Sequence, residues 1–280
     1  VSYDTTQISW TSSLLSDCTR NRVIEYKDKT IGIGLYRPYF KQFAYIESNV
    51  IHRTGQMPQL FPTSNHRNLV ICVSGVGVTK DFSCIISDIL PDLELIGKSQ
   101  CFPLYWYDDS TADIADLFSA PQSEMDLYVR RDGVTDWILA TARKQYGSRV
   151  TKEDIFYYVY GILHSPDYRT TFAADLKKSL PRLPLVESPD DFWAFSRAGR
   201  SLAELHLGYE HVEPYAGCHT VNSTSSDDDA INYRVEKMRF GKLDSKTADK
   251  RVIHYNAGIT IENIPLEAYE YVVNGKSAIE

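Results

Sequence analysis

Apolar residues in the first hundred positions recur with the short period of extended chain. Residues 30–36, 42–46, 68–73, 83–89 and 101–107 are rich in Ile, Val, Tyr and Phe, with Gly, Pro, Asn and Ser between them, the pattern of strands joined by turns. The Gly and Pro of residues 55–62 predict a long exposed loop. After Arg131 the period lengthens. Val134, Trp137, Ile138, Ala142 and Tyr146 share a helical face that Gly147 closes. Thr151 and Asp154 have the spacing of a capping box before Ile155, Val159, Ile162 and Leu163. Pro166 must end that helix near His164, because a proline pushes the residue before it out of the helical region. Ser165 with Pro166, and Ser188 with Pro189, each supply a cap and a first-turn proline. The first pair opens a helix carrying Phe172 and Leu176, the second a helix carrying Phe192, Phe195, Leu202 and Leu205 and ending near Gly208. Residues 217–230, with Asp227, Asp228 and Asp229, read as a mobile loop, and residues 233–240 and 252–261 as strands.

Strands, then helices, then strands favour an α+β fold over regular alternation. The expected parts are a strand-rich amino-terminal region over 1–130, a helical cluster over 131–215 packed on it, and carboxy-terminal strands over 216–280. The broad apolar faces of the helices need cover, which strands from both ends of the chain can supply. Ser277 and Glu280 repeat the capping-box spacing, so the chain reads as truncated before a further helix.

Composition excludes several classes. At 280 residues and 43% hydrophobic, the chain can bury a substantial core. Its five cysteines, Cys18, Cys72, Cys84, Cys101 and Cys218, form no Cys-x-x-Cys pair, which points to reduced thiols and to no metal site. With no membrane-length apolar run and no signal-peptide pattern, the chain reads as cytoplasmic. A net charge of −7 argues against a simple DNA-coating protein, but the charge is uneven. Residues 81–126 hold ten acidic side chains against Lys98 alone, whereas residues 231–251 hold seven basic against three acidic, and residues 20–53 the same. Such runs fit either solvated faces or a polarised surface with one anion-seeking side.

Catalytic chemistry is not legible. Residues 74–80 (SGVGVTK) lack the third glycine of a dinucleotide loop and the Gly-Lys-Ser/Thr ending of a phosphate loop, so a strand turn is the better reading. Residues 263–266 (NIPL) lack the second proline and aromatic of an amino-methyltransferase motif. His206 and His211 lie five apart, off the spacing for joint metal ligation on a helix. Asp190 and Asp191 suit the positive end of a helix dipole. A hydrolase would need a pocket gathering His164, His206 and acidic groups.

Several unusual strings occur in order: 35–40 (LYRPYF), 100–107 (QCFPLYWY), 154–168 (DIFYYVYGILHSPDY) with Arg169, 180–185 (LPRLPL) and 199–207 (GRSLAELHL). Together they resemble the carboxy-terminal specificity region of Type ISP single-polypeptide restriction-modification enzymes, from about Tyr36 to Ile279. The resemblance implies that this chain recognises double-stranded DNA, while nuclease, ATP-driven translocase and adenine methyltransferase lie elsewhere in the parent. S-adenosylmethionine, ATP and magnesium then belong to those parts, and this chain carries no cofactor. The motif residues are Tyr36, Arg37, Pro38, Ser165, Pro166, Tyr168, Arg169, Pro181, Arg182, Pro184, Gly199, Arg200 and His206. Each can act by contacting DNA or by locking the local fold. An alternative role is a coupling module that links the methyltransferase and translocase domains through the helical cluster.

Reading a base edge takes side chains that present two hydrogen-bonding groups, chiefly Arg to guanine and Asn or Gln to adenine. The loop at 52–68 offers Arg53, Gln56, Gln59, Asn65, His66, Arg67 and Asn68 between apolar anchors Met57, Leu60 and Phe61, and reads either as a base-contacting loop or as an ordinary polar one. Phosphate contact needs positive charge with looser geometry. Arg234, Lys237, Arg239, Lys242, Lys246, Lys250 and Arg251 are the leading candidates, with Arg130, Arg131, Arg143, Lys144 and Arg149 as further ones.

Overall fold

The computed structural model describes residues 4, 10–47, 50–51, 54–109, 127–222, 233–235 and 237–279. The chain divides into two compact units, Val1–Leu207 and Gly208–Glu280.

The first unit opens with α1 (Ser12–Thr19), where Thr11 accepts the Leu14 N–H at 3.2 Å, an element the strand-rich reading missed. Hairpin β1 (Ile31–Arg37) and β2 (Phe40–Tyr45) follows, then the short α2 (Met57–Leu60) inside the expected loop. The strands β3 (Val70–Val73), β4 (Cys84–Ser87), β5 (Leu90–Pro91), β6 (Gln100–Pro103), β7 (Tyr105–Asp109) and β8 (Tyr128–Asp132) complete three small sheets, ordered β2-β1-β5, β4-β3-β6 and β7-β8. Residues 101–107, expected as one strand, are two strands in different sheets. The change of partner falls at Leu104, which is buried and donates its N–H to Leu69 O at 2.7 Å. Residues 74–80 form a turn, with Gly77 at φ 75.

Five helices follow: α3 (Asp136–Tyr146), α4 (Lys152–His164), α5 (Pro166–Thr171), α6 (Ala173–Leu176) and α7 (Pro189–Leu207). Their starts are set by local chemistry. The Thr151 hydroxyl accepts the Asp154 N–H at 3.1 Å and the Asp154 carboxylate accepts the Thr151 N–H at 3.0 Å, a complete capping box. Ser165 caps α5, and Ser188 accepts the N–H groups of Asp190 and Asp191. The helix expected to carry Phe172 and Leu176 breaks at Phe172 into two short pieces.

One core joins the helices to the central sheet. Ile71 and Val73 of β3, paired with Ile86 and Cys84 of β4, pack with Tyr146, Phe156, Tyr160 and Phe192. Helices α4 and α7 meet at Gly161 and Gly199, where a Cβ on Gly199 would lie 2.0 Å from Tyr157 O and one on Gly161 2.3 Å from Phe195 O. Phe192 is stacked between Tyr146 and Tyr158, with centroids at 4.3 and 4.9 Å. Three tyrosine hydroxyls then pin the chain between α6 and α7. Tyr168 donates to Arg182 O at 2.9 Å, Tyr158 to Pro184 O at 2.6 Å and Tyr146 to Val186 O at 2.6 Å. These are alternate carbonyls of an extended segment, and Pro181 and Pro184 there have no N–H to satisfy. Burial raises all three hydroxyls, Tyr146 to about 12, so they remain protonated donors.

The second unit contains β9 (His219–Asn222), β10 (Arg239–Lys242), β11 (Ala248–His254) and β12 (Ile259–Glu262), an antiparallel sheet ordered β10-β11-β12-β9, and the small hairpin β13 (Val272–Val273) and β14 (Lys276–Ser277). Directly paired residues share a face. Phe240, Ile253 and Ile261 therefore line one face, and Arg239, His254, Thr260 and Val221 the other. The expected strand over 252–261 is a hairpin instead, because Asn256 Oδ1 accepts the N–H groups of Gly258 and Ile259 at 2.9 and 2.8 Å and turns the chain. The expected strand over 233–240 shrinks to its last residues. Ser277 is buried and paired with Val272 in β14, so it is a strand residue rather than a helix cap; Glu280 lies outside the described residues. Of the expected loop, 219–222 is strand β9 and 223–230 lies outside the described residues.

Candidate nucleic-acid interface

The polar segment at 63–68 rests on the antiparallel pair β7 and β8. His66 is 4% exposed, edge-on to Tyr107 at 4.6 Å and Tyr128 at 5.2 Å, with its Nδ1 2.9 Å from Thr63 Oγ1. Asn68, also buried, makes four hydrogen bonds. Its Nδ2 donates to Leu60 O at 2.9 Å and Tyr105 O at 2.8 Å, while its Oδ1 accepts from Leu69 N at 2.8 Å and Tyr105 N at 3.1 Å. Between them, Arg67 O accepts the Tyr107 hydroxyl at 2.6 Å. The chain is thus held at every residue from 66 to 68, by side chains at 66 and 68 and by the backbone carbonyl at 67, and the side chains of Asn65 and Arg67 are exposed.

This geometry corrects two of the base-contact assignments. The Asn68 amide is fully used within the chain, and His66 is buried and kept neutral by desolvation, so neither presents its edge to a ligand. Gln56 and Gln59 are exposed around α2, and Arg53 lies outside the described residues. The tyrosines that hold the segment were not singled out from the sequence. Their signal was the alternation of Tyr105 and Tyr107 along one strand face.

Asn68→Ala should therefore act on the fold. It strands Tyr105 N, Tyr105 O and Leu60 O in a buried setting, and an unsatisfied buried group costs about 1–3 kcal/mol. Loss of about 2–3 kcal/mol in urea unfolding is expected; a change below about 0.5 kcal/mol, the size of a surface substitution, would contradict this account.

The basic candidates fall into two groups. Arg251 is clamped to Asp249 through Nε at 3.0 Å and a terminal nitrogen at 3.3 Å, and Lys250 lies over the Tyr269 ring at 5.0 Å. Arg234, Lys237, Arg239, Lys242 and Lys246 are exposed, with Arg239 on the polar face of the sheet. In the first unit, Arg130 covers the Tyr105 ring at 4.3 Å, Arg131 pairs with Asp108, Arg143 donates to Val150 O at 2.8 Å and Arg149 covers Trp193 at 4.4 Å, leaving Lys144 exposed without such a contact among the described residues. The polar segment and the Arg234 to Arg251 stretch belong to different compact units.

The motif residues make contacts within the fold. Arg37 lies over Tyr36 at 4.1 Å and reaches Asp92 at 3.4 Å, beside the Pro38 turn. Ser165 and Pro166 start α5, Arg169 donates to Leu163 O at 2.7 Å, and Pro181, Arg182 and Pro184 lie in the pinned segment. Gly199 allows the helix crossing, and Arg200 covers Tyr157 at 4.2 Å and meets Asp154 at 3.4 Å. The His206 Nδ1 and the Tyr160 hydroxyl are hydrogen-bonded at 2.6 Å, and the His206 ring lies 5.6 Å from that of His164. The two histidines do come together, yet burial above all, and then Arg169, hold His164 at about 3 and His206 at about 4. A base activated by a carboxylate would show the opposite shift. Among the described residues no group of three or more His, Cys, Asp and Glu could hold a metal, and no helix is long and apolar enough to cross a membrane.

The Type ISP C-terminal specificity domain matches this chain over residues 1–280, and the chain belongs to that family. It is similar to the ATP-dependent Type ISP restriction-modification enzyme LlaBIII bound to DNA, at 33% identity and TM-score 0.80, covering 97% of this chain and 16% of that one. A nuclease-deletion mutant of the Type ISP enzyme LlaGI, in complex with a DNA substrate mimic, aligns at 33% identity and TM-score 0.75, covering 99% and 19%. The DrdV–DNA complex, solved by cryoEM, aligns at 28% identity and TM-score 0.80, covering 97% and 25%. The chain thus spans a quarter or less of each relative's length. A comparison with curated proteins finds no match.

Proposed function

We propose that this chain is the target-recognition part of a larger Type ISP restriction-modification polypeptide and reads double-stranded DNA, with Arg67 and Asn65 as the base-contacting pair and Gln56 and Gln59 beside them. The observation that carries the reading is the locking of residues 66–68 by His66, Asn68 and the Tyr107 hydroxyl. Discriminating a base edge requires donors held within a fraction of an ångström, and a buried, bonded neighbour on each side of Arg67 provides that. The DNA in the related complexes supports the same reading. Arg234, Lys237, Arg239, Lys242 and Lys246 supply phosphate contacts, while Arg251, neutralised by Asp249, and Lys250 contribute less. Methyl transfer, translocation and cleavage, with S-adenosylmethionine, ATP and magnesium, belong to other parts of a cytoplasmic parent.

The test compares cognate and scrambled duplexes on the parent enzyme across a salt series. Arg67→Ala should cost about 1–3 kcal/mol at one base position and little on scrambled DNA. Arg239→Ala with Lys242→Ala should weaken both duplexes alike and flatten the salt dependence. An unchanged cognate preference in Arg67→Ala refutes the base contact. If that variant instead uncouples methylation from translocation, the chain is a coupling module.

A further inference from the structure

Cys72 and Cys101 lie directly opposite each other on β3 and β6, with their sulfurs 3.8 Å apart. The register shows what kind of pair this is. Leu104 N donates to Leu69 O, and these two residues are the next step of the same ladder beyond Val70 and Pro103. Hydrogen-bonded and non-hydrogen-bonded pairs alternate along an antiparallel ladder. Val70–Pro103 is therefore a non-bonded pair, which is why a proline fits there, and Cys72–Cys101 is the next non-bonded pair. Such pairs bring Cα atoms to about 4.5 Å, inside the roughly 4.4–6.8 Å range that a disulfide spans.

A second feature concerns access. Cys72 is fully buried, whereas Cys101 is partly exposed and lines an open groove of about 670 Å³, together with Leu35, Met57, Leu60, Leu93 and Gln100. The pair faces away from the helical core, to which Ile71 and Val73 contribute instead. The neighbouring sulfur, together with burial, holds the Cys72 thiol well above its usual value.

We propose that Cys101 and Cys72 form a thiol–disulfide pair that reacts with small disulfides, with Cys101 as the entry thiol and Cys72 as the resolving thiol. Cys101 loses its proton to solvent through the groove, and its thiolate attacks one sulfur of oxidised glutathione. The glutathione S–S bond breaks, one glutathione leaves as thiolate and takes up a proton, and a mixed disulfide remains on Cys101. Cys72 then loses its proton and attacks Cys101 Sγ, which expels the second glutathione. The protein dithiol is oxidised by two electrons and the glutathione disulfide is reduced to two thiols. The product cross-links β3 to β6 two residues from Pro103 and three from Leu104, next to the support of Asn65 and Arg67.

The intact protein is treated with oxidised glutathione under native conditions, its remaining thiols are alkylated, and its tryptic peptides are mapped by mass. Cleavage after Lys80 and Lys98 places Cys72, Cys84 and Cys101 on separate peptides. The expected wild-type product is a linked pair of peptides holding Cys72 and Cys101, with Cys84, fully buried and pushed up to about 12 by burial, still reduced. Cys72→Ser should retain glutathione on Cys101, and Cys101→Ser should leave Cys72 reduced. Glutathione persisting on Cys101 in the wild type, reaction of Cys72 in Cys101→Ser, or reaction of the exposed Cys18 with neither member of the pair modified would each overturn the proposal.

Discussion

Gly199→Ala is expected to cost about 3 kcal/mol or more, at or above the upper end of overpacking effects. The added methyl would lie 2.0 Å from Tyr157 O and 2.7 Å from Gly161 N. Both neighbours are backbone atoms of α4, so no side chain can rotate to make room. Relief requires the helices to separate, and separation loosens the stack of Tyr146, Phe192 and Tyr158 and the contact of Arg200 with Tyr157. Gly161→Ala meets Phe195 O at 2.3 Å and should behave alike. The better intrinsic helix propensity of alanine, about 1 kcal/mol over glycine, works against the effect and is too small to cancel it. Urea unfolding of both variants is the measurement. Wild-type stability in Gly199→Ala would show that the helices do not meet at this crossing.

Helix starts were legible because their causes are local. Thr151 and Asp154, Ser165 and Pro166, and Ser188 and Pro189 act within three residues of one another, and the structure uses each pair as read. The junction at Leu104 was not legible, since it depends on Leu69, thirty-five residues earlier in the chain. The turn at Asn256 was legible in principle, because an Asn two residues before a Gly is turn chemistry, but the apolar residues on either side of it read as one continuous strand. The recognition segment divides the same way. That residues 52–68 are polar and anchored by Leu60 and Phe61 is visible in the sequence. Which polar side chains turn inward is decided by Tyr105, Tyr107 and Tyr128, and no spacing within the segment encodes that.

Acid should destabilise the first unit above the pH at which carboxylates titrate. His164 donates its Nδ1 proton to Tyr160 O at 2.9 Å, leaving Nε2 buried without a hydrogen-bond partner among the described residues. Burial disfavours the charged ring more than the backbone of Tyr160 and of Cys84 favours it. His164 is held at about 3 and His206 at about 4, chiefly by burial, against an ordinary value of 6.5. Between those folded values and 6.5 the unfolded chain binds more protons than the folded one, so stability is present above 6.5 and is lost as pH falls. Each histidine contributes a slope of up to about 1.4 kcal/mol per pH unit. From pH 6.5 to 4.5 the pair should remove about 4 kcal/mol, allowing for the partial exposure of His206. His66, also lowered by burial, acts in the same direction. Asp136, held low by Lys152, and Asp249, held low by Arg251, protect the fold in a different window, because their contribution is lost only as pH falls below about 3.8. Urea titrations at half-unit steps from pH 7.5 to 4.5 resolve the two. His164→Asn, which retains a donor for Tyr160 O, should remove about 1.4 kcal/mol per pH unit from the slope. An equal slope in wild type and His164→Asn would mean that His164 is already charged in the folded chain.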